Sequence, residues 1–95
     1  MIEINVQFKG VVAQLTGCPE MCLTIEPGTR LLEFLNLLAH RVGSDFSKLL
    51  LDESGRVDRG ILIAIEGRAV PADNYAAYRL NHNCSLAIIP IVAGG

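Results

Sequence analysis

A chain of 95 residues with 51% apolar residues and a formal net charge of −2 fits one small domain with a single well-supplied core. These values exclude wholesale disorder and a strong electrostatic claim on nucleic acid, and no basic run is interleaved with aromatics. No apolar stretch nears the roughly 20 residues of a membrane-spanning helix. The start, Met1-Ile2-Glu3-Ile4-Asn5-Val6, lacks the basic region of a signal peptide.

Ile2, Ile4, Val6 and Phe8 alternate with Glu3, Asn5 and Gln7, which predicts a half-buried strand over residues 2–8. Thr16-Gly17-Cys18-Pro19-Glu20 carries turn chemistry. Residues 21–26 alternate again, with Met21, Leu23 and Ile25 inward and Cys22, Thr24 and Glu26 outward. The two runs make a hairpin, whose connection through Val11, Val12, Ala13 and Leu15 the pattern leaves open. Pro27-Gly28 breaks the strand, and Thr29 is placed to cap a helix. Leu31, Leu35, Leu38 and Val42 recur at helical spacing, flanked by Leu32 and Ala39, and Gly43 suits the position just past the helix end.

Residues 46–51 read as a short helical turn and Asp52-Glu53-Ser54-Gly55 as a loop. Ile61-Leu62-Ile63-Ala64-Ile65 is a continuous apolar run of strand length, as in an interior strand buried on both faces. Glu66-Gly67 turns the chain and Arg68-Ala69-Val70 begins a short strand. Residues 73–84 are polar and irregular, with Asn83 a candidate for a left-handed turn conformation. Residues 85–91 form the last strand. Leu86 and Ile88 are expected inward, with Ala87, Ile89 and Ile91 outward. The order is strand, strand, helix, strand, short strand, strand. It predicts an α+β domain of the β-grasp, ubiquitin-like kind, a mixed sheet packed on one main helix. Residues 1–90 are assigned to this domain and residues 91–95 to a flexible diglycine tail.

The side chains with chemical potential are few. Cys18, Cys22 and Cys84 are odd in number and carry one Cys-x-x-x-Cys spacing without a second pair. Three reduced thiols in a cytoplasmic setting are therefore expected, with no metal site. His40, His82, Asp52, Glu53, Arg56 and Arg59 read as solvated surface. The informative segment is the end, Leu86-Ala87-Ile88-Ile89-Pro90-Ile91-Val92-Ala93-Gly94-Gly95. Two glycines without Cβ atoms make a thin peptide that can thread a narrow channel. Residues 90–95 can extend to about 20 Å, and Pro90 restricts φ where strand becomes tail.

With this ending, the chain resembles the small sulfur carriers of the MoaD and ThiS type, which include the small subunit of molybdopterin synthase. The match is strongest over residues 80–95 and weaker at the Thr29-to-Val42 helix, the Ser54-Gly55-Arg56 loop and the Ile61-to-Gly67 strand and turn. Three departures stand out: Ile91 where a second proline is common, Glu66-Gly67 for Asn-Gly, and His82-Asn83-Cys84 in a turn that commonly holds Gly and acidic residues. The resemblance implies a carrier that is no enzyme by itself and holds no stable cofactor. Gly95 would be adenylated by a MoeB/ThiF-like activating enzyme using ATP, then converted by a sulfur donor to a thiocarboxylate, with Gly94 giving access. Ile89, Pro90, Ile91, Val92 and Ala93 would contact partners, among them a large, MoaE-like molybdopterin synthase subunit. Thiamine, cysteine or tungsten-cofactor synthesis, conjugation to lysines as a ubiquitin-like modifier, and a non-covalent interaction domain are the alternatives.

Overall fold

The computed structural model describes residues 1–91. The chain begins with β1 (Ile2–Phe8), a short helix α1 (Val11–Thr16) and β2 (Glu20–Ile25). A two-residue strand β3 (Thr29–Arg30) leads directly into α2 (Leu31–Val42), and α3 (Ser44–Leu50) follows. Next come β4 (Ile61–Ile65), β5 (Arg68–Ala69), one 3-10 turn (Ala72–Asn74), β6 (Arg79–Leu80) and β7 (Cys84–Pro90).

The main sheet has the order β2-β1-β7-β4-β5, and β3 pairs with β6 in a separate two-stranded ribbon. β1 and β2 form the expected antiparallel hairpin, with Ile2 opposite Ile25 and Val6 opposite Met21. β7 lies between β1, which it parallels, and β4, to which it is antiparallel. The fold is thus the ubiquitin-like β-grasp.

Inward side chains of the sheet, among them Ile4, Val6, Leu86, Ile88 and Ile63, share one cluster with Leu31, Phe34, Leu35 and Leu38 of α2. Phe8 and Phe46 meet edge to face with centroids 5.5 Å apart, which fastens α3 to β1. β5 is too short to cover the edge of β4. Ile63 instead donates its N–H to the buried Tyr75 hydroxyl at 3.3 Å, and its carbonyl accepts the Val70 N–H.

One open point is filled and three local expectations are corrected. The open connection between β1 and β2 contains α1, which buries Val12 and ends at Gly17 in the left-handed conformation (φ 75°). Thr29 is not a helix cap: it lies in β3, its hydroxyl donates to the Glu26 carbonyl at 2.7 Å, and Arg30 precedes the helix without a side-chain cap. Asn83 has no positive φ; its Oδ1 accepts the Glu3 N–H at 2.8 Å and ties the entry of β7 to β1. The segment 73–84, read as irregular, contains β6. Gly43 does end α2, through its N–H to the Ala39 carbonyl, with φ 134°; it also opens α3.

Candidate functional site

The diglycine follows β7 closely in the sequence, so the geometry that bears on it is where β7 stops. Lys9 donates its N–H to the Ile88 carbonyl at 3.1 Å, the last bond from the β1 side. A parallel ladder would continue with a donor at position 90, but proline has no N–H. The Lys9 carbonyl is taken by the Val12 N–H at 3.1 Å, in the first turn of α1. Chain departure into α1 and the end of the β7 ladder therefore coincide.

Gly10 makes that departure with φ 54° and ψ −133°, and a Cβ there would stand 3.1 Å from Pro90 Cγ. The positive φ favours glycine, and any side chain there would need the proline ring to give by a few tenths of an ångström. On the other side, Pro90 faces Ile61 in register, and Ile91 donates its N–H to the Gly60 carbonyl at 2.7 Å. Pro90 is half-buried between these two contacts and Ile91 is half-exposed, at 51%. The root of the tail is thus gripped between the β1–α1 corner and the loop before β4. Val92, Ala93, Gly94 and Gly95 lie outside the described residues.

The parity of β7 is as the alternation implied: Leu86 and Ile88 are fully buried, while Ala87 and Ile89 are half-buried on the face away from the helix. Register brings Leu62 opposite Ile89, and sets Ala69, Ala64, Ala87, Gln7 and Glu20 in one row across the sheet. That open face is apolar over β4 and β7 and polar over β1 and β2. It is continuous with the exposed Ile91.

The histidines, cysteines and Asp52 lie apart from these contacts. His40, His82, Arg56 and Arg59 are exposed, in keeping with solvated surface. Asp52 organises its loop by accepting from Ser54 Oγ at 2.7 Å, Ser54 N–H at 2.9 Å and Arg56 N–H at 3.1 Å; these bonds, Ser54 Oγ foremost, lower its pKa. Burial, assisted by the Glu66 charge, pushes the Cys84 thiol up. All three cysteines are free: Cys22 is exposed, and Cys18 and Cys84 are half-buried. Among the described residues no group of three His, Cys, Asp or Glu side chains is placed to hold a metal ion, and no helix is long and apolar enough to cross a membrane.

Sequence reasoning missed Lys9, Gly10, Asp58 and Gly60, which shape the tail root. Only Gly10 left a trace, as a lone glycine after an alternating strand. The contacts that matter, Gly60 to Ile91 and Gly10 to Pro90, join residues far apart in the sequence.

Known structures share the architecture. Urm1 from Trypanosoma brucei is similar with a TM-score of 0.79 and 25% identity, over 98% of this chain and 95% of that one. The small archaeal modifier protein 1 from Methanosarcina acetivorans has a TM-score of 0.78 and 22% identity, over 100% and 98% of the two chains. A putative molybdopterin converting factor, subunit 1, from Pyrococcus furiosus has a TM-score of 0.73 and 20% identity, over 97% and 100%. At such identities the likeness shows the fold. No curated protein matches the chain significantly. The model of the ThiS family matches residues 6–95, which is nearly the whole chain and includes the diglycine. The chain belongs to the ThiS family of ubiquitin-like sulfur carriers.

Proposed function

We propose that this protein carries sulfur as a thiocarboxylate on Gly95. The observation that carries the reading is the reach of the family match, which runs through Gly94-Gly95. A carboxylate is a poor electrophile. Attack of the Gly95 carboxylate on the α-phosphate of ATP, bound by a MoeB/ThiF-like enzyme, releases pyrophosphate and creates an acyl-adenylate. Sulfur from a donor then displaces AMP. The product is a strong nucleophile on a macromolecular handle. Gly94 keeps the approach to the nucleotide free of side chains, and Val92 and Ala93 line the partner's channel.

The carrier supplies no base or nucleophile of its own, so its role is that of a cytoplasmic non-catalytic subunit. The apolar strip of Leu62, Ala64, Ala87 and Ile89, continuous with Pro90 and Ile91, is the docking surface. Delivery to a pterin precursor, in complex with a MoaE-like large subunit, is the favoured destination. It has in its support the shared fold of the Pyrococcus protein named a putative molybdopterin converting factor subunit.

Conjugation to lysines is the second reading. It uses the same activated terminus, and a protein named as a modifier shares the fold. Intact-mass measurement of the protein from its own host separates the two. Exchange of one oxygen for sulfur at Gly95 is expected for the carrier. Gly-Gly remnants on lysines of other proteins, with no sulfur at the terminus, would establish the modifier instead.

A further inference from the structure

We infer that Asp58 is a positioning residue for the proposed transfer, one that aims the tail by holding Gly60 against Ile91; the role rests on the carrier reading above. Asp58 is exposed in the loop between α3 and β4. Its Oδ2 accepts the Gly60 N–H at 2.8 Å, and its carbonyl accepts the Ile61 N–H at 3.0 Å. Both peptide units that flank Gly60 are therefore bonded to one residue. Asp58 is itself anchored, its N–H donating to the Leu50 carbonyl at 2.7 Å at the end of α3. The carboxylate folds close over the glycine: a Cβ on Gly60 would stand 3.1 Å from Oδ2.

The orientation of Gly60 matters because its carbonyl accepts the Ile91 N–H at 2.7 Å. Pro90 offers no donor, so this bond is the backbone's first N–H hold beyond Ile89. Four residues follow Ile91. They can reach about 13 Å, and the point and direction from which they start are set at Ile91. A misplacement of about 1 Å at a reacting centre can already cost on the order of a hundredfold in rate. The Asp58 carbonyl holds the peptide unit that carries the Gly60 carbonyl and the Asp58 carboxylate holds the one before it, so both dihedral angles of Gly60 are set without any contact to the tail. Gly10 and Pro90 constrain the same root by contact from the opposite side.

The test compares Asp58→Ala, Asp58→Glu and Asp58→Asn with the unaltered chain. Two quantities are read: exchange of the Ile91 amide by NMR, and ATP-dependent pyrophosphate release with the MoeB/ThiF-class enzyme of the same host at varied carrier concentration. Loss of the side-chain bond in Asp58→Ala is expected to speed Ile91 exchange roughly five- to tenfold. It should also lower kcat roughly threefold or more at unchanged KM, because docking is kept and aim is lost. Asp58→Glu keeps the charge, displaces the carboxylate and reproduces the loss even if Asp58→Ala fails to fold. Asp58→Asn, whose amide oxygen still accepts from Gly60, restores both readouts. Unchanged Ile91 exchange in Asp58→Ala and Asp58→Glu overturns the inference. So does a rise in KM at constant kcat, which would make Asp58 a partner contact. Absence of pyrophosphate release with the unaltered chain overturns the carrier reading, and the role in transfer with it; the exchange data would then still decide whether Asp58 holds Ile91.

Discussion

Glu66 holds a position that its residue type disfavours. It has φ 50°, followed by Gly67 at φ 80°, so both central residues of the β4–β5 turn are left-handed, the arrangement that suits a two-residue hairpin and favours Asn-Gly. The compensation is a pair of bonds across to Ser85: Glu66 Oε1 accepts the Ser85 N–H at 3.0 Å, and Glu66 N–H donates to the Ser85 carbonyl at 2.9 Å. Glu66→Ala keeps the strain and loses the side-chain bond, so it is expected to cost about 1 kcal/mol in urea unfolding. Glu66→Asn, at ease in the left-handed region, should cost less. Glu66 also helps to keep the Cys84 thiol protonated, after burial, and burial does the same for the Tyr75 hydroxyl. Both groups ionise more readily in the unfolded chain. The folded state then binds more protons, so stability must fall as pH rises above the ordinary thiol value of 9.0. A series of unfolding curves from neutral to alkaline pH should show that decline, and a flat profile would contradict it.

At the scale of elements, alternation and helical spacing made β1, β2, α2, β4 and β7 legible, because each buries one regular face in the same core. α1 escaped since six residues with one fully buried side chain give no period to read. β3 and β6 escaped for a related reason. Two-residue strands exist only through each other, Thr29 opposite Leu80 and Arg30 opposite Arg79, and nothing local announces that pairing. The terminal motif was plain in the sequence, but the residues that hold the end of β7 were not, being distant from it in the chain. Gly10 shows how tightly α1 and β7 are joined. Gly10→Ala should cost about 1–3 kcal/mol, since a non-glycine residue must hold φ 54° while its Cβ presses on Pro90. Thermal unfolding checks the cost, and a chemical-shift change at Ile91 checks that the disturbance reaches the tail root.

For the whole molecule, the two faces of the sheet differ: one makes the core, and the other is the face to which partner docking is proposed. Ile89→Arg places a charge on the open face beside Leu62, where the half-buried side chain belongs to no core contact that must be kept. Folding should survive, with a melting temperature within a few degrees of the unaltered chain, while KM for the activating enzyme rises by about tenfold or more. An unchanged KM would move the docking surface elsewhere. The placement of β7 has a further consequence in the order of synthesis. The strand that leads into the tail is the middle one of five, and it joins the β1–β2 hairpin to the β4–β5 hairpin. A nascent chain that has not yet released its final strand holds two half-sheets with nothing between them. The sheet closes only when β7 is in place, because neither hairpin has a partner on its inner edge without it. The last strand made is thus the keystone of the sheet, and its loss would part the two hairpins rather than trim an edge.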